Sequence, residues 1–211
     1  MTTNQAGWRE RKKQATRRAL GESALRLACE LGPENVRAED IAEAAGVSPR
    51  TYNNYFPSRE HAIVAGLTAD REARVAARVA VRSPSVRLFD AIVDAVVEIY
   101  TDPTEHRRDA LLLVATHPEL RERFVSSTSA MEYPLEAVID DRLENRAGGT
   151  SRVLAASVAA AVRIALDRWL QPAGDPPSPT GLVAISGALS DGLRESLLPL
   201  APALDAAEGL V

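Results

Sequence analysis

The sequence predicts an all-α protein. Of its 211 residues, 45% are hydrophobic but only 4% are aromatic, and alanine, leucine and arginine, which favour helices, are abundant. Apolar residues recur at spacings of three and four in successive segments, whereas the alternation typical of β-strands is rare. Glycine and proline separate these segments at positions typical of helix ends. We therefore expect about nine helices.

The first predicted helix runs from near Trp8 to Leu31, and Gly32-Pro33 ends it. Residues 1–60 hold ten Lys/Arg against eight Asp/Glu, whereas residues 61–211 hold fifteen against twenty-one. This asymmetry fits a nucleic-acid-binding segment on an otherwise acidic chain. The sequence leaves open whether the basic run contacts DNA as a flexible arm or is a solvated face. Its members are Arg9, Arg11, Lys12, Lys13, Arg17 and Arg18.

Two short helices joined by a glycine turn are predicted next. The segment Ala38–Ala45 has one apolar edge, and Gly46 can take the left-handed conformation that ends a helix. Ser48 is a good N-cap, and Pro49 follows at the first helical position, where its missing N–H costs nothing. The next side chains, Arg50–Tyr55, are long, planar or hydrogen-bonding. This arrangement predicts a helix-turn-helix that enters the major groove of DNA.

A set of short motifs lies within residues 9–65. They read Val36-Arg37, Asp40-Ile41-Ala42, Ala45-Gly46-Val47-Ser48, Thr51-Tyr52, Tyr55-Phe56-Pro57-Ser58-Arg59-Glu60 and Ala62-Ile63. Together they resemble the N-terminal domain of TetR-family transcription regulators, in which an all-helical ligand-binding domain follows. The resemblance implies a DNA-binding domain at 1–60, a ligand-binding and dimerisation domain at 61–200 and a tail at 201–211.

Candidate DNA-binding residues lie in and around the third helix. Arg50 can place a bidentate fork on guanine or contact a phosphate, and the sequence leaves both open. The family resemblance implies phosphate contacts for Arg37, Tyr55 and Arg59. Tyr52 is expected to lie half in the core and half in the groove. The full predicted set is Arg37, Ser48, Pro49, Arg50, Thr51, Tyr52, Asn53, Asn54, Tyr55 and Arg59.

Six further helices are predicted beyond the third. The fourth runs from Ser58 to about Val81 and carries Arg71, Arg74 and Arg78 on a polar face. Pro134 is expected to kink or split the seventh. The chain after Pro199 shows no clear helix signal. The fifth to ninth helices are expected at 85–102, 104–116, 118–148, 151–170 and 180–198.

The helix at 151–170 predicts a homodimer. It is apolar around most of its circumference, because its charged positions Arg152, Arg163 and Asp167 fall on one narrow stripe. A helix with so wide an apolar surface must pack against more than its own domain. We expect this helix and the leucine-striped helix at 180–198 to form the interface with a second copy of the chain.

The C-terminal half carries a weaker resemblance. The stretch RRDALLLVATHPELRERF, followed by an alanine-rich helix ending in DRWL, resembles the C-terminal domain of the mycofactocin-type branch of TetR regulators. That branch is described as having acyl-CoA-like ligand-binding domains, which implies a small apolar or acyl-CoA-like effector. The candidate pocket residues either line a cavity or are simply core. They are Phe89, Val93, Val96, Tyr100, Leu112, Phe124 and Met131.

An enzyme is not expected from this sequence. The histidines His61, His106 and His117 are far apart, and none lies at metal-ligand spacing from a cysteine or carboxylate. Phosphate-binding glycine loops and nucleophile elbows are missing, so we expect no catalytic residue, cofactor or metal. Cys29, the only cysteine, is expected on the core side of a helix. Neither a signal region nor a membrane span is recognisable, which predicts a cytoplasmic protein.

These observations predict a DNA-binding transcriptional regulator that acts as a homodimer. We expect a repressor rather than an activator, released from a palindromic operator by a small-molecule ligand. The alternative is a DNA-binding protein with no small-molecule effector, controlled by a protein partner or acting architecturally.

Overall fold

The computed structural model describes residues 3–68, 71–102, 108–144, 149–171 and 188–209. Every regular element in these residues is helical, which confirms the predicted fold class. The first six helices are α1 (Thr3–Leu31), α2 (Ala38–Ala44), α3 (Pro49–Tyr55), α4 (Arg59–Thr68), α5 (Arg71–Ala80) and α6 (Leu88–Tyr100). The others are α7 (Arg108–Thr116), α8 (Pro118–Ser126), α9 (Glu132–Arg142), α10 (Thr150–Leu170), α11 (Leu189–Leu197) and α12 (Ala201–Glu208).

Several predicted helices are divided in the structure. The segment predicted as one helix from 58 to 81 contains α4 and α5, and residues 69–70 between them lie outside the described residues. The helix predicted to begin at Pro118 is divided into α8 and α9 by a 3₁₀ turn at Ser127–Met131. Parts of other predicted helices also lie outside the described residues, namely 104–107, 145–148 and 180–187.

Pro134 explains where the divided helix breaks. It lies in the first turn of α9, where its missing N–H has no helical acceptor to lose. Its ring would clash with the carbonyl four residues earlier in a continuous helix, and that residue, Ala130, belongs to the 3₁₀ turn. The predicted helix is therefore split rather than kinked, and the break lies just before the proline.

The described residues form two compact units. The first contains residues 3–68 together with 108–123, and the second contains the rest of the described chain. This division differs from the predicted boundary between residues 60 and 61. It differs because α4 packs along α1, and because α7 also contacts α1; such contacts join segments that are distant in sequence.

Two glycines allow α1 and α4 to approach closely within the first unit. A Cβ atom added to Gly21 would lie 2.8 Å from the backbone nitrogen of Gly66. A Cβ added to Gly66 would overlap the carbonyl oxygen of Gly21. Only glycine removes these clashes, so backbone meets backbone where the two helices cross. The close approach of α1 and α4 therefore depends on glycine at both positions.

The second unit has a largely apolar core. The helix α10 packs against α9 and α11, while α6 packs against α5, α11 and α12. Arg71 is an exception, and it corrects the predicted polar face of the fourth helix. Its side chain is only 1% exposed, and its guanidinium carbon lies 4.8 Å from the Tyr100 ring centre and 5.3 Å from that of Phe124. Burial lowers the pKa of this guanidinium, and the nearby Tyr100 and Glu72 oppose the change.

The helix α12 forms most of the segment 201–211, which the sequence had predicted to be a tail without helix, so that prediction is corrected. Two long-range contacts hold this helix. Arg87 forms a bidentate ion pair with Asp205, at 3.2 and 2.5 Å. The carboxylate of Glu208 accepts the backbone N–H of Leu88 at 2.6 Å, which caps the first turn of α6. These partners lie more than a hundred residues apart, so the local sequence pattern could not predict the contacts.

Cys29 is exposed, contrary to its predicted place on the core side of α1. The residues that α1 buries include Leu20, Ala24 and Ala28. Cys29 follows Ala28 directly, and successive residues of a helix point about 100° apart. The adjacent position in sequence is therefore on a different face of the helix.

Within the described residues, no helix combines the length and apolar character needed to cross a bilayer. In the same part of the chain, no three His, Cys, Asp or Glu side chains are grouped so that they could hold a metal ion.

Candidate nucleic-acid interface

The turn between α2 and α3 forms as its residues predict. Gly46 has a φ of 68°, a left-handed conformation that costs glycine little. The N–H of Val47 donates to the carbonyl of Ala42 at 2.9 Å. At the start of α3, Ser48 Oγ accepts the backbone N–H of Thr51 at 3.1 Å, which is the bond of a good N-cap. Local hydrogen bonds thus hold the turn and the start of α3.

One face of α3 is anchored in the core of the first unit. Tyr52 and Phe56, four residues apart, are each 2% exposed, and their ring centres lie 6.0 Å apart. The opposite face carries Arg50, Asn53 and Asn54, all exposed. A short helix with one buried aromatic face and one exposed polar face can present its donors to the base edges of a groove.

The other predicted DNA-binding residues are distributed around this face. Ser48, Pro49 and Arg37 are exposed, whereas Thr51, Tyr55 and Arg59 are half-buried. The backbone N–H of Arg37 donates to Asp40 Oδ2 at 3.2 Å and closes the first turn of α2. The predicted set therefore lies at the start of α2, in and just before α3, and at the start of α4, and one of its members, on the inner face of α3, is buried.

That residue is Tyr52, which corrects the predicted half-groove position. Its hydroxyl is buried and has no hydrogen-bond partner among the described residues. Burial raises the pKa of Tyr52 to about 12; the negative charge of Glu60 acts in the same direction, and Arg59 opposes both. Tyr52 lies inside because it shares the helical row of Phe56, the other aromatic anchor of α3.

Arg59 has structural contacts that its predicted phosphate role did not include. Its Nη1 donates to the carbonyls of Glu34 at 2.7 Å and Val36 at 3.4 Å, and its Nε donates to Glu60 Oε1 at 2.8 Å. The side chain joins the start of α4 to the connection between α1 and α2. A phosphate contact by Arg59 stays a prediction, and the residue also holds these segments together.

In the sequence Arg17 is one member of the basic run, whereas in the structure its side chain contacts the end of α3. Its Nη1 donates to the carbonyl oxygen of Tyr55 at 3.3 Å, and its guanidinium carbon lies 4.7 Å from the centre of the Phe56 ring. The last carbonyls of a helix lack partners within it, so Arg17 satisfies one at the end of α3. Its spacing of three and seven residues from Leu20 and Ala24 is the signal that could have indicated this inward row.

Residues 21–64 match the sequence profile of the tetR family of bacterial regulatory proteins. This segment is therefore similar to the DNA-binding domain of TetR-family regulators. The matched residues include α2, α3 and most of α4, together with the second part of α1. The exposed Arg50, Asn53 and Asn54 lie within this matched segment, and their DNA-binding role stays a prediction.

Individual proteins show similarity as well. Over 76 residues the chain is 41% identical to the HTH-type transcriptional regulator TcmR of Streptomyces glaucescens. The matched part is 36% of this chain and 34% of TcmR, so the chain spans about a third of the length of that relative.

Two solved structures resemble the chain over most of its length. One is the TetR-family transcriptional repressor FadR of Thermus thermophilus in complex with lauroyl-CoA, with a TM-score of 0.46, 21% identity, and coverage of 88% of this chain and 93% of FadR. The other is NalD, the secondary repressor of the MexAB-OprM multidrug efflux pump in Pseudomonas aeruginosa. Its TM-score is 0.44 and its identity 20%, and the match covers 90% of this chain and 96% of NalD. The mycofactocin-type branch stays a prediction.

The candidate pocket residues are mostly buried. Val93, Val96, Tyr100, Phe124 and Met131 are at most 6% exposed, and Phe89 is half-buried with the Arg87 guanidinium 6.0 Å from its ring centre. Leu112, however, is 51% exposed, which corrects its predicted inward position. In α7 the neighbouring Leu111 and Val114 take the buried face instead.

A cavity of about 540 Å³ lies elsewhere in the second unit. Its walls are of mixed polarity, because Val79, Val138 and Leu143 share them with Arg82, Arg142 and Glu208. None of the candidate pocket residues lines this cavity. Around Tyr100 and Phe124, the buried Arg71 guanidinium occupies the space between the two rings.

Proposed function

We propose that this chain is a transcriptional regulator that binds double-stranded DNA through α2 and α3. The observation that carries the proposal is the exposed face of Arg50, Asn53 and Asn54 on a helix anchored by Tyr52 and Phe56. The major groove admits an α-helix, and arginine and asparagine are the side chains best suited to bidentate contacts with guanine and adenine. The match of residues 21–64 to the tetR family supports the same function.

The regulator acts, in this proposal, as a homodimer through α10 and α11. Val153 and Ile164 on α10 are 65% and 43% exposed, and the half-buried Ser157 and Ala160 lie between them on the same helical row. Exposed aliphatic side chains separated by small residues suit the close packing of a second helix. Leu198, which follows the last residue of α11, is also an exposed aliphatic residue, at 62%.

A homodimer implies a palindromic operator. Two identical recognition helices related by a two-fold axis read two inverted half-sites, separated by about 34–36 Å for one turn of DNA or by a multiple of that distance. Steric exclusion from a promoter is then the simplest consequence of binding, so we propose a repressor rather than an activator.

We further propose that a small apolar or acyl-CoA-like ligand releases the operator. Support comes from the apolar character of Val93, Val96, Phe124 and Met131 in the interior of the second unit. A ligand can shift the protein away from its DNA-binding state only to the extent that it binds the other state more tightly.

The alternative, control by a protein partner or an architectural role without a ligand, is supported by the packing of the same residues. Val96, Tyr100, Phe124 and Met131 are each at most 1% exposed, and the 540 Å³ cavity has none of them in its walls. A ligand at these positions would have to open a packed core, which costs free energy that its binding must supply.

Selection of bound sequences from random duplex DNA tests the DNA-binding proposal. We expect the full chain to enrich an inverted repeat, and an Arg50→Ala, Asn53→Ala double variant to lose that enrichment. If the wild-type chain enriches no sequence, or if the double variant enriches the same repeat, α3 does not read DNA in the proposed way.

A panel of ligands distinguishes the two forms of control. We expect a long-chain acyl-CoA to raise the melting temperature of the full chain and to release the selected duplex. Free fatty acids and flat aromatic cations are the comparison compounds. If no compound does both, the protein has no effector of these classes and the alternative is favoured; if only the aromatic cations do so, the acyl proposal is wrong.

A further inference from the structure

Arg9, Lys13 and Arg17 form a straight basic row along α1. Their spacing of four residues places them on one face of the helix, one turn apart, and the row extends over about 12 Å at 1.5 Å per residue. All three side chains are exposed. The sequence left open whether the basic run is a flexible arm, and the structure places it on a continuous helix from Thr3 to Leu31.

The inner end of this row is attached to the recognition helix. Arg17 donates to the carbonyl of Tyr55, the last residue of α3, at 3.3 Å, and it stacks on the Phe56 ring at 4.7 Å. The same face of α1 continues toward the core through Leu20 and Ala24, which are fully buried. The face of α1 that packs into the first unit therefore becomes basic where the helix extends past α3.

The contact of Arg17 with the end of α3 is the observation from which the partner of this row is inferred. When α3 lies in a major groove, the end of the helix at Tyr55 lies beside a sugar–phosphate strand, because the strands border the groove. Lys13 and Arg9 continue the row along α1, one and two turns beyond the Arg17 that contacts this end of α3. Cations in such a position neutralise phosphates and release condensed counterions without reading any base.

We propose that Arg9 and Lys13 bind DNA phosphates immediately outside the bases that α3 reads. The inference rests on the proposed DNA-binding function and adds a second, sequence-independent surface to it. In a homodimer the two residues supply four phosphate contacts, two beyond each half-site. They raise the affinity for every duplex alike and leave the base preference to α3.

The test compares an Arg9→Gln, Lys13→Gln double variant of the full chain with an Arg11→Gln control. Arg11 is exposed on the same helix but lies roughly opposite the row, at about 100° per residue. Affinity is measured against salt concentration for two duplexes, one with the selected operator and one with random sequence. The slope of log K against log salt should fall by about 3.6 in magnitude for the double variant, at about 0.9 per lost contact, and stay unchanged for Arg11→Gln.

A Lys13→Arg variant should retain the wild-type slope, and the double variant should select the same operator sequence as the wild type. Circular dichroism monitors the helix content of each variant. A double variant with the slope of the Arg11→Gln control would overturn the inference, as would an equal loss in both variants. The proposed function fails separately, when the wild-type chain itself selects no sequence.

Discussion

Arg50 is the residue on which base recognition is expected to depend most. It lies in the first turn of α3 with its side chain in solvent, where a guanidinium can reach O6 and N7 of one guanine. We expect Arg50→Ala to weaken operator binding by about 1–3 kcal/mol and to relax discrimination at one base pair of each half-site. Fluorescence anisotropy with a panel of single-substitution duplexes measures both effects.

Arg26→Ala is the matched control for that change. Arg26 is an exposed arginine of the first unit that pairs with Glu30 at 3.2 Å on α1, and such exposed pairs contribute little to stability. Its removal should leave operator affinity and base preference unaltered. If Arg50→Ala behaves like Arg26→Ala, the base contacts belong to other residues of α3, with Thr51 or Asn53 next in line.

Tyr52 can be tested for the two roles open to it, a buried core residue or a residue that contacts DNA. Its hydroxyl has no hydrogen-bond partner among the described residues, and a buried polar group without one is destabilising. We expect Tyr52→Phe to leave the free energy of unfolding unchanged or to raise it by up to about 1 kcal/mol, with unchanged DNA affinity. Chemical denaturation and anisotropy provide the two measurements.

Tyr55→Phe provides the comparison, because Tyr55 is half-buried at the end of α3. If it binds a phosphate, loss of its hydroxyl weakens binding to all sequences. A weaker complex for Tyr52→Phe, rather than for Tyr55→Phe, would place Tyr52 at the DNA as the sequence predicted.

At the scale of elements, the crossing of α1 and α4 is the contact most sensitive to substitution. A Cβ at Gly66 would overlap the carbonyl oxygen of Gly21, a backbone atom that cannot rotate away. We expect Gly66→Ala to lower the free energy of unfolding by at least about 1–3 kcal/mol, as overpacking does elsewhere. Thermal or chemical unfolding of the full chain provides the measurement.

Gly192→Ala is the control for the glycine-to-alanine change itself. Gly192 lies within α11, and no atom of the described protomer comes within 4 Å of an added Cβ. Alanine favours helix over glycine by about 0.5–1 kcal/mol, so this variant should be neutral or more stable. Equal destabilisation by both variants would mean that steric overlap at the crossing is not the cause.

At the scale of the whole molecule, the homodimer is the prediction with the largest consequence. Val153 and Ile164 on α10 are 65% and 43% exposed, so they are the residues that probe the proposed interface. We expect Ile164→Arg or Val153→Arg to produce monomers, because an arginine at a packed two-fold interface buries like charges. Sedimentation velocity at micromolar concentration measures the change.

Leu112→Arg is the control, since Leu112 is also an exposed aliphatic residue but lies on α7. It should leave the sedimentation coefficient unchanged. Monomers should bind the operator weakly, because each presents a single recognition helix to a repeated site. A wild-type chain that sediments as a monomer would contradict the dimer, whatever the variants do.

The sequence by itself determined the features that depend on local physics. The all-α class follows from helical periodicity, and the turn between α2 and α3 follows from Gly46, Ser48 and Pro49, whose conformational preferences act within a few residues. The exposed Arg50 belongs to the same local pattern. These signals lie within one or two helical turns, so they can be recognised without knowing what packs where.

Tertiary structure decided everything that joins distant residues. The burial of Arg71 between two aromatic rings, the formation of α12 on Arg87 and Leu88 and the attachment of Arg17 to the end of α3 all depend on partners far along the chain. A local sequence pattern predicts that a charged residue is exposed, because desolvating a charge is costly unless the fold supplies a partner. Only the packed structure shows where such a partner exists, which is why the local pattern placed Arg71 on a polar face.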